Sequence, residues 1–227
     1  MSHVLILVGS VRPNGNTQAL AQACADGARA AGHQVEVVSV ADYHVHPCTG
    51  CEGCSRHPGN QCVQQDDMQK IYPKLLWADV VVAASPVYFY GVSAQLKAII
   101  DRCHTPLRNQ FHIQKLALLL VGGATLPTLF DAILCQYQLF HRSVIGQSIV
   151  LLQLVQDTDR SESVHFICFS GTAGHDQVLI LLRFILRSKI FGHLCRCFRL
   201  CCHRWPDRSQ KIRIIFYLFI HLIADNA

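Results

Sequence analysis

Short apolar runs and longer amphipathic segments alternate over the first two thirds of the chain. Residues 4–8, Val-Leu-Ile-Leu-Val, are apolar without interruption, as a strand buried on both faces requires. Residues 18–31 carry alanines and leucines at helical spacing, and Gly32 stands where such a helix stops. Residues 34–40, with Val35, Val37 and Val38, predict a second strand. Residues 66–77 predict a helix whose acidic start suits the helix dipole. The alternation continues with strands over 79–84, 116–121 and 148–152 and helices over 93–103 and 128–141. It predicts an α/β fold of five parallel strands with helices on both faces. Ligands then sit beyond the carboxyl ends of the strands.

After residue 152 this regularity stops. Residues 153–174 are rich in Ser, Asp and Thr, with a stray apolar stretch over 164–169. Residues 178–191 form an apolar, helix-like run interrupted by Arg183, Arg187 and Lys189. Cys195, Cys197, Cys201, Cys202 and His203 then crowd together, and residues 212–223 are apolar but too short to span a bilayer. A basic surface helix or a cysteine/histidine metal knot would account for parts of this. The absence of caps, period or heptad favours a different reading, a shifted reading frame after about residue 152. The expected organisation is a folded domain over 1–152 followed by an atypical tail over 153–227.

Composition narrows the class. A chain of 227 residues, 51% hydrophobic and 15% charged, can bury a full core and is not a disordered chain. The N-terminus has no basic region ahead of its short apolar run, so it predicts a strand and not a signal peptide. No apolar stretch reaches the roughly 18 residues of a membrane span. Twelve cysteines without a signal sequence point to a reducing, cytoplasmic setting, where clustered thiols serve metal or redox chemistry. The net charge of +5 belongs mostly to the tail, with ten Lys/Arg against six Asp/Glu beyond residue 152 and ten against nine before it. Without an RNA-binding motif or aromatic–basic repeat, this surplus argues for no nucleic-acid partner.

Three loops after strands carry candidate chemistry. Residues 9–17, Gly-Ser-Val-Arg-Pro-Asn-Gly-Asn-Thr, lead into the first helix, where orphan N–H groups and the positive dipole end favour an anion. Ser10, Asn16 and Thr17 supply short donors and Arg12 a charged fork, a set suited to phosphate. The loop lacks both the Lys-Ser/Thr ending of a P-loop and the glycine spacing of a dinucleotide loop. Residues 85–91, Ser-Pro-Val-Tyr-Phe-Tyr-Gly, are stiffened by Pro86 and offer three aromatic faces that cannot all turn inward. Gly122 and Gly123 end the fourth strand and would let backbone approach a flat ring. His104, His112 and His141 are scattered, and no Ser/His/Asp or Cys/His set has a defined order.

Cys48-x2-Cys51-x2-Cys54-x7-Cys62 follows the second strand. Four soft thiolates so close together suit one iron–sulfur cluster. Zinc would accept four cysteines too, although it usually takes two separated pairs, and unliganded loop thiols are the bland alternative.

The loop over 9–17, the cysteine run, the aromatic loop and Leu96-Lys97-Ala98-Ile99-Ile100-Asp101-Arg102 together resemble the flavodoxin-like NADPH-dependent FMN reductases, and within them the iron–sulfur flavoprotein branch. The resemblance covers residues 3–152. It implies a flavodoxin-like fold and a non-covalently bound FMN whose phosphate lies at Ser10, Arg12, Asn16 and Thr17. It assigns the isoalloxazine and ribityl chain to Pro86, Val87, Tyr88, Phe89 and Gly91, with Gly122 and Gly123 in the third flavin loop. Cys48, Cys51, Cys54 and Cys62 match the compact cysteine motif of that branch. The expected activity passes hydride from NADPH or NADH through the flavin to a small-molecule or protein acceptor, in a homo-oligomer. Two other readings stand beside it. One is an iron–sulfur flavoprotein relaying electrons between protein partners, and the other a non-enzymatic membrane-surface protein using the tail.

Overall fold

The computed structural model describes residues 1–123, 129–144, 149–156, 163–170 and 178–185. Five strands run parallel in the order β2 (Gln34–Ser39), β1 (His3–Val8), β3 (Val80–Tyr88), β5 (Lys115–Gly122) and β6 (Ile149–Gln156). A two-residue strand, β4 (Gly91–Val92), folds back antiparallel on the end of β3. Apart from that hairpin, the order is that of a flavodoxin-like sheet. The register aligns Val8 with Ala84 and Ala84 with Leu119, so β1, β3 and β5 lie side by side at the centre of the sheet, β3 and β5 running on past the end of β1.

β1, β3 and β5 each feed their two faces into different cores, as the period of two requires. Val4, Ile6, Val8, Val80, Val82, Ala84, Ala117 and Leu119 pack under α1 (Asn16–Ala30). Leu20, Ala21, Cys24, Ala25 and Ala28 of α1 are small or straight, so the helix lies close to the sheet. On the opposite face, Leu5, Leu7, Val81, Ala83, Leu116, Leu118 and Leu120 meet α3 (Met68–Trp77), α4 (Ala94–Arg102) and α5 (Asp131–Val144). A four-residue helix, α2 (Gly53–Arg56), lies within the cysteine loop. The expected sheet with helices on both faces is therefore present.

The sheet does not stop at its fifth parallel strand. β7 (Ser163–Ser170) pairs antiparallel with β6, and β8 (Val178–Ile185) antiparallel with β7. This corrects the helix-like reading of residues 178–191 over their first eight positions. Val-Leu-Ile-Leu-Leu-Arg-Phe-Ile is a short apolar run, which periodicity alone cannot assign to helix or strand. The stray apolar stretch over 164–169 is the body of β7. The cysteine group over 195–203 and the apolar stretch over 212–223 lie outside the described residues.

Candidate functional site

Strand order reverses between β1 and β3: the chain leaves β1 for β2 on one side and returns to β3 on the other. The loops after these two strands therefore border one crevice. The first is held by a hydrogen bond from Gly9 N to Ala84 O at 2.6 Å. Ser10 is nearly buried, and its Oγ accepts from Arg12 N at 3.2 Å, which fixes the turn. Gly15 is the N-cap of α1 and has no side chain with which to satisfy the first-turn N–H groups; no acidic residue stands in that turn. Gln18 does not compensate, because its Oε1 accepts from Asn14 N at 2.9 Å. Thr17 is buried, whereas Arg12 and Asn16 are exposed at the loop's edge. A positive helix end with uncapped donors, two buried hydroxyls and an exposed arginine beside it suits a phosphate group.

The second loop rises from β3. Pro86 is buried and Val87 half-buried, while Tyr88, Phe89 and Tyr90 stand out in solvent, Phe89 with 97% of its surface exposed. Phe89 and Tyr90 both have positive φ, 47° and 65°, a costly conformation for large side chains. Their rings meet edge to face, with centroids 5.8 Å apart. Below them, Ser85 Oγ accepts from Ser93 N at 3.0 Å and donates to Pro86 O at 2.8 Å, tying the loop to the start of α4.

The third loop is less open than its glycines suggest. Gly122 is buried, and a Cβ there would overlap the Leu129 side chain and come within 3.3 Å of Phe130. Its glycine is therefore required by the packing of residues ahead of α5, and only Gly123 is exposed. The structure brings the first two loops together at the centre of the sheet and sets the third beside them on β5.

The cysteine loop follows β2, next to β1 on the other side. Cys48 and Cys51 are exposed, and Cys54 and Cys62 half-buried. A Cβ on Gly53 would lie 2.6 Å from Val63, so α2 folds back onto the residue beside Cys62 and closes the loop. The Gly53 N–H and the Thr49 hydroxyl donate to the Cys51 sulfur, and Arg56 lies nearby; together they hold this thiol below its usual range. Burial instead pushes the thiols of Cys24 and Cys103, in the two cores, up to about 12. The loop donors thus have the right chemistry for a soft metal and share one closed segment. Among the described residues, however, no three His, Cys, Asp or Glu converge closely enough to share an ion.

Sequence reasoning missed Arg102. Its side chain is 0% exposed, and its guanidinium donates to both Asp66 carboxylate oxygens, at 2.7 and 3.1 Å, and to His46 O at 2.9 Å. Burial raises the Asp66 pKa, but the bonds from Arg102, His46 N and Met68 N outweigh it, and the net position is below the usual carboxylate range. The available signal was the Asp101-Arg102 pair ending an otherwise amphipathic helix.

Residues 2–155 match the sequence profile of a family described as NADPH-dependent FMN reductase. The chain belongs to that family. An iron-sulfur flavoprotein of Methanocaldococcus jannaschii is 40% identical over 121 residues, covering 53% of this chain and 59% of the relative. One from Methanosarcina thermophila is 35% identical over 118 residues, covering 51% and 61%. The chain thus spans less than two thirds of these relatives' lengths. Among solved structures, the NAD(P)H:quinone oxidoreductase of Methanothermobacter marburgensis superposes with a TM-score of 0.59 at 17% identity, over 71% of this chain and 90% of that one. That likeness shows the shared fold. The match to the FMN reductase family ends at residue 155, within β6, close to where the strand–helix alternation stops. Among the described residues, no helix is long and apolar enough to cross a membrane.

Proposed function

We propose that this member of the FMN reductase family is an NAD(P)H-dependent oxidoreductase that holds FMN in the crevice between the loops after β1 and β3. The observation that carries the reading is the uncapped start of α1 at the switch point, beside the buried Ser10 and Thr17. There the helix N–H groups and the two hydroxyls would hold the FMN phosphate, and exposed Arg12 would add charge. Pro86, Val87 and Gly91 would border the ring with backbone, and Tyr88 and Phe89 with aromatic surface. Bound FMN would supply hydride and single-electron chemistry, which accounts for a site without a catalytic triad. The hydride source would be NADPH or NADH, and the acceptor a small molecule or a protein. The exposed aromatic tip supports self-association as a homo-oligomer, because large side chains standing in water are typical of interfaces.

A second reading is favoured by the cysteine loop and by the names of the relatives. In it Cys48, Cys51, Cys54 and Cys62 would hold one iron–sulfur cluster, and the protein would pass electrons between partners.

The test is anaerobic reduction of the FMN-loaded chain, followed at the flavin absorption band. Bleaching by NADPH or NADH at catalytic rates supports the oxidoreductase. A flavin that stays oxidised with both nucleotides, yet accepts electrons from a reduced protein donor, contradicts it in favour of the carrier.

A further inference from the structure

β3 carries alanine at two successive core positions, and Ala83 faces the side of the sheet packed against α3, α4 and α5. Its partners across the strands are Leu7 of β1 and Leu118 of β5, so one small residue sits in a row of leucines. The helices above do not take up the missing volume. A cavity of about 30 Å³ lies there, with Leu7, Val81, Ala83 and Leu116 on its floor. Ile99 and Cys103 of α4 and Tyr137 of α5 also line it, and all three are buried. Ile100, Phe111 and Ile113 line it too but are only half-buried, so its solvent side lies between the end of α4 and the segment leading into β5.

What such a space can hold follows from its size and lining. One water needs roughly 10–15 Å³ and two to four polar partners. The room is sufficient, but among the described residues no polar atom faces the cavity. The Cys103 thiol brings no charge, because burial pushes it up to about 12 and keeps it protonated at neutral pH. Water there would forgo its hydrogen bonds, whereas an apolar guest gains dispersion contacts with the surrounding side chains. Left empty, the space costs the core those same contacts. The cavity is also separate from the crevice at the switch point. Val81 and Leu116 stand near the amino ends of their strands, while the crevice lies beyond the carboxyl ends.

We propose that this cavity is a binding site for one small apolar molecule, of the size of xenon or dioxygen, created by Ala83 and entered between Ile100, Phe111 and Ile113. It stands independently of the flavin reading.

The test uses the full chain with 13C-labelled isoleucine methyls and xenon as the probe. In wild type, rising xenon pressure should shift the methyls of Ile99, Ile100 and Ile113 along saturable curves. Ile6, on the opposite face of the sheet, should stay in place. The Tm should rise with xenon, as it does for any ligand that binds only the folded state. Ala83→Val fills the floor and should abolish the saturable shifts while leaving the Tm without xenon unchanged or higher. Cys103→Leu fills the same space from α4 and should abolish them too, so the outcome can be read even if Ala83→Val does not fold. Ala117→Val makes the same change on the face under α1, where added methyls overpack the core; it should lower the Tm and keep the shifts. Shifts that grow linearly with pressure and move Ile6 alike would overturn the proposal. So would saturable shifts that survive in both filled variants. A Tm lowered as much by Ala83→Val as by Ala117→Val would show that no space is there and overturn it as well.

Discussion

Arg102 and Asp66 show how a residue far from the crevice governs what the chain tolerates. Removing one partner of a buried pair leaves an unpaired charge, and such changes typically cost about 3–5 kcal/mol. Thermal unfolding of Arg102→Met should show a loss of that size, and of less for Arg102→Lys. The carboxylate's contribution is pH-dependent with a definite sign. Its folded pKa lies below the unfolded value of roughly 3.9, so the unfolded state binds the proton first. The stabilisation is complete above that value and is lost as pH falls through the folded pKa. Acid unfolding of the wild type should therefore steepen below about pH 4. Asp66→Asn should flatten that limb; an unchanged limb would show that the pair does not titrate with unfolding. The cysteines separate in the same way. Thiol alkylation near neutral pH, read by peptide mass spectrometry, should label Cys51 well before Cys24 or Cys103, since the first is exposed with a lowered pKa and the others are buried with raised ones. Equal labelling would contradict this assignment of environments.

At the scale of elements, α4 is the link between the aromatic loop and the cysteine loop. Ser93 caps it, its Oγ accepting from Leu96 N at 3.3 Å while its own N–H donates to Ser85 Oγ. Ser93→Ala should cost about 1 kcal/mol in chemical denaturation, as the loss of an N-cap does. A neutral result would mean that the backbone bond to Ser85 alone holds the helix start. Most elements were legible in the sequence for plain physical reasons. The run at Val4–Val8 could only be a doubly buried strand, and Gly15, Asn16 and Thr17 marked the turn into α1. The antiparallel strands β7 and β8 were not legible, because short, mainly apolar runs interrupted by single polar residues satisfy either period. The Arg102 clamp was hidden because its partners Asp66 and His46 lie 36 and 56 residues away in sequence. Gly122 was visible as a glycine, but the contact with Leu129 that requires it is a matter of packing.

At the scale of the molecule, the family match ends at residue 155 and the regular alternation near residue 152. The sheet nevertheless continues for two more strands among the described residues. The reading proposed for residues 153–227 is a shifted frame, and the coding DNA around codon 152 decides it. An alternative frame encoding a short polar loop and then an amphipathic helix would support the shift. Three frames with no such helix would contradict it and leave β7 and β8 as a genuine extension of the sheet.

The central claim is that the start of α1 holds the phosphate of FMN. The most direct measurement compares dissociation constants for FMN and riboflavin, which differ only in that phosphate, in wild type and Arg12→Ala. Wild type should bind FMN more tightly than riboflavin. Loss of a solvent-screened charged contact should weaken FMN by about tenfold and leave riboflavin nearly unchanged. Equal affinity for the two ligands in wild type, or equal weakening in the variant, would contradict the claim.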